Sequence, residues 1–206
     1  APLAAERPDV RLRIDGMCMA PEPSAQSDPS SGYEAVASRL IAERSPTGTA
    51  TVRTWGRALP AGASVLDLGC GSGVPVSETL IDDGFVVCGI DASPSLVAAF
   101  QRRFPHAQVS CEPVEVSDFF GKTYDGIVAI GLIFLLQPDV QRTVIRRAAS
   151  ALKLGGRFLF TAPSQTGTWM DNMTGRHSVS LGDEAYRLAL ADAGLMVIAE
   201  YVDEGE

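Results

Sequence analysis

The sequence predicts an α/β protein: a doubly wound, mostly parallel sheet flanked by helices in three αβα layers. Three observations predict it. From Ser64 onward, short apolar runs alternate with amphipathic stretches. The runs VLDL, VVCGI and GIVAI are apolar at consecutive positions rather than alternate ones. That is the pattern of strands buried on both faces, and so of parallel strands covered by helices through right-handed crossovers. A glycine-rich turn, GCGSG, closes the first run, where sheets of this kind bind ligands.

Taken in order, YEAVASRLIAER reads as a helix with Tyr33, Val36, Leu40 and Ile41 on one face, and TATVRTWGRALP as a second helix stopped by Pro60. SVLDL is a strand. VPVSETLIDDG is a helix ended by Gly84. FVVCGID is a strand rich in β-formers. SPSLVAAFQRRF is a helix, with Ser93 as N-cap and Pro94 at its first position. AQVSC is a short strand, and YDGIVAIGLIFLL holds another from Asp125 to Ile130. PDVQRTVIRRAASALKLGG is a helix with a glycine stop, RFLFTAP a strand, GDEAYRLALADAG a helix and LMVIAEYVD a sixth strand. No repeat at solenoid spacing occurs.

Residues 1–31 are expected to form a separate mobile arm or leader, and residues 32–206 the domain. PEPSAQSDPSSG is rich in Pro, Ser and Gly, as linkers are. VRLRI before it alternates, which suits a short strand and equally a piece of leader. Cys18, Cys70, Cys88 and Cys111 show no CxxC pair and no histidine at metal spacing, so no metal site is expected and the thiols should be free. That usage fits a cytoplasmic protein. APLAAERPDVRLRIDG lacks the basic start and apolar core of a secretory signal, and no run approaches the roughly 20 apolar residues that span a bilayer. A net charge of −8 disfavours nucleic acid unless a local basic patch exists. The densest basic spots, Arg102-Arg103 and Arg146-Arg147, read as solvated helix faces. Oligomeric state is left open.

Gly69, Gly71 and Gly73 stand at alternate positions just past the first strand, so a ligand can touch bare main chain there. The dinucleotide fingerprint GxGxxG fails in both registers, since Val74 and Val76 occupy the third-glycine positions. Asp67, two residues before Gly69, suits a cationic ligand. Asp91 ends the next strand 22 residues beyond Gly69, close to the roughly 20 at which an acid meets ribose hydroxyls in related sheets.

VLDLGCGSG followed by GIDASPSLV resembles the S-adenosylmethionine (SAM) site of class I methyltransferases, a likeness covering roughly Ser64 to Val202. The resemblance implies methyl transfer from SAM, leaving S-adenosylhomocysteine, to a small-molecule acceptor. It implies that Asp67, Gly69, Cys70, Gly71 and Gly73 meet the methionine part and ribose. Asp91, with Ala92 and Ser93, would hold the ribose hydroxyls. The adenine segment should be CEPVEVSDFF; Pro113 after Glu112 has no N–H to donate, which favours Val114 and Glu115. Ile130, Gly131 and Leu132 should face the sulfonium, and the N-terminal helices should lie over the cofactor with Tyr33 touching it. The family's sheet ends in an antiparallel seventh strand paired with the sixth; no such strand is expected after the sixth in the given residues, and VRLRI near the start is an alternative occupant of that edge.

SQTGTWMDNMTGRHSVSLG, Ser164 to Gly182, is expected as a long functional loop. Trp169 would wall the acceptor pocket, and Asp171 or His177 would take a proton. His106 is expected at the surface and Trp55 in the core. Two rival readings are a non-catalytic SAM-binding regulatory protein and a nucleotide-dependent oxidoreductase, the latter weakened by the failed glycine spacing.

Overall fold

The computed structural model describes residues 28–43 and 46–201. VRLRI, Cys18 and Val202 to Glu206 therefore lie outside the described residues. Helices α1 (Tyr33–Ala42) and α2 (Thr49–Gly56) precede the sheet. The alternation then runs β1 (Ser64–Leu68), α3 (Val76–Asp82), β2 (Val86–Asp91), α4 (Pro94–Arg103), β3 (Gln108–Cys111), β4 (Tyr124–Ala129), α5 (Pro138–Ala151) and β5 (Leu152–Phe160). Strands β6 (Gly167–Met170) and β7 (His177–Ser180) and helix α6 (Asp183–Asp192) follow.

The main sheet has the order β3-β2-β1-β4-β5, and every pairing in it is parallel. β1 is central. The chain first winds outward through β2 and β3, then crosses back to β4, so strand order reverses between β1 and β4. The carboxyl ends of those two strands form a crevice by topology alone. Consecutive burial of the apolar runs holds for β1 and β4. Leu66, Leu68, Ile90 and Ile127 face a core with α5 and α6. Val65, Val87 and Val128 face a second core with Val52, Trp55 and Leu80. Trp55 is core, as the sequence predicts, and it needs Gly126: a Cβ there would lie 2.6 Å from its ring. Ser93 caps α4 by accepting from Leu96 N–H at 3.3 Å, with Pro94 behind it.

Several expectations are corrected. Among the described residues the sheet has five strands, not six: Leu195 to Tyr201 adopt no regular structure, and Met196 and Ile198 stand exposed. Their β-forming side chains are not enough, because a strand exists only against a partner and none of the described residues pairs with them. The segment Ser164 to Gly182 is not a loop without strands. β6 and β7 form an antiparallel hairpin pairing Trp169 with Ser178 and Met170 with His177. Helix α5 ends at Ala151, before the Gly155-Gly156 pair, because Leu152 already has extended backbone. On α1 the buried position is Ala37, while Ile41 is exposed.

A buried polar knot fixes the hairpin to the body. Tyr186 donates from its hydroxyl to Gln141 Oε1 at 2.7 Å. Gln141 Nε2 donates to the carbonyls of Leu136 and Val179, each at 2.8 Å. Gln141 has no exposed surface. Tyr186→Phe strips that acceptor of its donor, and an unsatisfied buried acceptor costs about 1–3 kcal/mol. Urea unfolding should show a drop of that size with the m-value kept; an unchanged midpoint would mean the knot is energetically idle.

Candidate functional site

After β1 the chain turns through Gly69, Cys70, Gly71, Ser72 and Gly73. The three glycines hold φ of 72°, 55° and 83°, which side chains other than glycine's rarely tolerate. The turn is fastened to the end of β2. Gly69 and Cys70 both donate their N–H to the Ile90 carbonyl, at 2.8 and 3.0 Å. Gly71 N–H donates to one carboxylate oxygen of Asp91 at 2.9 Å, and Ser93 N–H donates to the other at 2.8 Å. The Asp91 carboxylate thus ties the glycine turn to the start of α4.

A cavity of about 230 Å³ opens against this turn, lined by Tyr33, Gly69, Gly71, Asp91, Ala92, Val114, Glu115 and Ile130 among others. A second, of about 350 Å³, adjoins it, shares Leu40, Gly69 and Ile130, and adds Glu43, Asp67 and Cys70. Of the residues expected on the cofactor side, only Gly73 and Ser93 border neither. Gly73 packs on Phe100 and Phe104. Ser93 is fully buried. Asp67 is buried as well and accepts from Ser77 Oγ at 2.6 Å.

The segment after β3 is held from a distance. Arg147 on α5 donates to the carbonyls of Val114, Glu115 and Ser117 and lies over the Phe119 ring at 4.8 Å. The expectation of a solvated Arg146-Arg147 face therefore holds for exposed Arg146 and fails for Arg147. No local pattern signals this role, because the partners lie some thirty residues away along the chain.

Tyr33 donates to Asp171 Oδ2 at 3.4 Å. Burial first, then the carboxylates of Asp171 and Asp91, push its phenol up to about 12. It is thus a neutral donor near pH 7, not a base. The other oxygen of Asp171 accepts from Met173 N–H, Thr174 N–H and Thr174 Oγ, at 3.1, 2.7 and 2.8 Å. These bonds shape the tip of the β6–β7 hairpin. Trp169 rests on Phe134, ring centres 5.6 Å apart. His177 is exposed and borders neither cavity, and His106 is exposed as expected. Of the three residues expected at the acceptor, only Asp171 is brought to a cavity-lining side chain, Tyr33.

The residues present fit SAM. Asp91 puts a carboxylate, the kind of acceptor vicinal hydroxyls need, on the cavity wall. Val114, Leu135 and Leu136 offer apolar walls to a flat ring. Asp67 and Glu43 put negative charge in the adjoining cavity, where an ammonium or sulfonium would be favoured. No group of three or more His, Cys, Asp or Glu among the described residues is placed to hold a metal ion. Residues 65–156 match a family described as a methyltransferase domain.

That match takes in the glycine turn and Asp91 and covers a little under half of the chain.

The likeness is also visible in individual relatives. The chain is 34% identical over 111 residues to a ubiquinone biosynthesis O-methyltransferase of Xanthomonas axonopodis pv. citri, covering 52% of this chain and 46% of that protein. It is 32% identical over 138 residues to a ribosomal RNA small subunit methyltransferase C of Chromohalobacter salexigens, covering 63% and 40%. The chain thus spans about half the length of the curated relatives it matches or less. The fold is that of a TehB-like SAM-dependent methyltransferase from Corynebacterium glutamicum, with a TM-score of 0.59 at 22% identity over 80% of this chain and 82% of that one. No helix among the described residues is long and apolar enough to cross a membrane.

Proposed function

We propose that this chain transfers the methyl group of SAM to a small-molecule acceptor. The observation that carries the reading is the Asp91 carboxylate, which bridges Gly71 N–H and Ser93 N–H and lines one cavity together with Gly69 and Gly71 of the glycine turn. Bound SAM supplies a methyl already activated on a sulfonium, so the protein's work is to bind, align and exclude water.

In this reading Asp91 accepts from the ribose hydroxyls, with Ala92 beside it and Ser93 fixing its rotamer. Gly69, Cys70 and Gly71 give the methionine part main-chain contact, and Gly73 lets the turn close. Asp67 faces the ammonium side. Val114 and Glu115 border the adenine, their backbone held by Arg147. Tyr33 and Ile130 cover the reactive side. Trp169 walls the acceptor space, with Phe134 behind it. Asp171 serves as the anchor of the hairpin and as the acceptor that orients Tyr33. His177 lies next to that hairpin's tip and is the proton acceptor to test when the methylated atom arrives protonated.

The relative that acts in ubiquinone biosynthesis supports a small acceptor, and the charge of −8 works against binding RNA. The test is S-adenosylhomocysteine release with a panel of phenols, amines, thiols and a structured ribosomal RNA fragment. Turnover on a small molecule supports the reading. Turnover on RNA alone moves the acceptor class, and tight SAM binding without any turnover leaves a binding protein. Trp169→Ala should lower kcat/KM for the acceptor by roughly tenfold or more while SAM affinity stays within about twofold. The opposite split would put Trp169 on the cofactor.

A further inference from the structure

Glu34, in the first turn of α1, sends its carboxylate across to the start of α4. Its Oε1 accepts from Ser95 Oγ at 2.6 Å. Its Oε2 accepts from Ser95 N–H at 3.0 Å and from the Ser93 hydroxyl. A carboxylate from one helix thus satisfies a first-turn N–H of another, a group that has no partner within its own helix. The same serine, Ser93, donates its N–H to Asp91 Oδ1. Glu34 and Asp91 are therefore joined through a single buried residue.

The other side of the α1 entry is fastened too. Asp28 accepts from Ser30 N–H, Ser30 Oγ and Gly32 N–H and pairs with Arg176 of the hairpin tip at 3.1 Å. Between the two fastenings, Pro29, Ser30, Ser31 and Tyr33 line the cavity that Asp91 also lines. A cofactor seated on Asp91 would lie beneath this strap.

We propose that Glu34 is a positioning residue for the cofactor: its bonds to Ser93 and Ser95 latch the first turn of α1, and with it Tyr33, over the Asp91 side of the cavity, and so set how fast cofactor enters and leaves. The proposal rests on the SAM-dependent reading above. The Ser93 hydroxyl first, then Ser95, hold the Glu34 carboxyl below the usual carboxylate range, so the latch is charged near neutral pH.

Glu34→Ala removes all three bonds. Ser95→Ala removes one and keeps the Ser95 N–H. Glu34→Gln keeps acceptor capacity on one oxygen and should rescue in part. Dissociation of S-adenosylhomocysteine is followed by stopped flow, its affinity by calorimetry, and amide exchange across residues 33–42 by mass spectrometry on the ligand-free chain. Glu34→Ala should raise the dissociation rate by roughly tenfold, with Ser95→Ala and Glu34→Gln between it and wild type, and exchange in 33–42 should quicken in the same order. A lowered melting temperature with a dissociation rate within about twofold of wild type would make Glu34 a helix cap only and overturn the proposal. Wild-type chain that binds neither SAM nor S-adenosylhomocysteine overturns the underlying reading as well; wild type that binds, with Glu34→Ala unchanged, overturns the latch alone.

Discussion

Asp91→Ala should weaken binding of S-adenosylhomocysteine by well over tenfold while the domain stays folded. Two effects add. In the proposed reading the ribose hydroxyls lose a charged acceptor, and a hydrogen bond to a charged group is worth about 1.5–3 kcal/mol, or one to two powers of ten in affinity. The glycine turn also loses a fastening, because Gly71 N–H donates to Asp91 Oδ2 and Ser93 N–H to Oδ1. Asp91→Asn separates the two. An amide has one accepting oxygen and one donating nitrogen. Whichever way it sits, a donor faces either Gly71 N–H or Ser93 N–H. Asn should therefore fall between wild type and Ala and come nowhere near a rescue. Calorimetry gives the affinities and far-ultraviolet circular dichroism checks the fold. Equal affinity in all three proteins would remove Asp91 from the cofactor site.

Gly73→Ala should be among the most damaging single-methyl additions in the chain. A Cβ at Gly73 would stand 2.4 Å from a Phe104 ring carbon and 2.8 Å from one of Phe100, and φ there is +83°. The two rings support each other edge to face, centres 5.2 Å apart, and Phe100 is fully buried, so neither gives way freely. Left-handed backbone at a residue with a Cβ costs about 1–2 kcal/mol and overpacking about 1–3. A loss of roughly 2–5 kcal/mol is a large share of the 5–15 that holds an ordinary domain together. Phe104→Ala in the same chain relieves the overlap but not the backbone strain. Gly73→Ala/Phe104→Ala should thus lose less than the sum of the two single changes, by double-mutant cycle in urea. Simple additivity would show that the turn relaxes away from the rings.

The parts legible in the sequence are those whose cause is local. VLDL and VVCGI read as buried strands because each neighbour along the chain is apolar. The glycine turn and Asp91 follow from spacing, and Ser93-Pro94 announces a helix start by its chemistry. The hairpin was illegible because β6 and β7 have only four residues each and no alternating apolar pattern. Its tip is shaped by the Asp171 carboxylate rather than by an Asn-Gly or Asp-Gly turn. LMVIAEY misled in the opposite direction, since β-propensity describes a residue and pairing describes two segments. Arg147 and Glu34 carried no signal at all. Each acts on groups that only folding brings near, carbonyls after β3 for Arg147 and the start of α4 for Glu34.

The hairpin closes its ladder upon itself and shares no backbone pairing with the five parallel strands. Among the described residues side chains moor it, including Gln141 to Val179, Tyr33 to Asp171, Asp28 to Arg176 and Phe134 to Trp169. Lengthening, shortening or recolouring its tip leaves every rung beneath the glycine turn intact. Drift in a lineage can therefore rewrite what the hairpin presents while the parallel ladder is inherited unaltered.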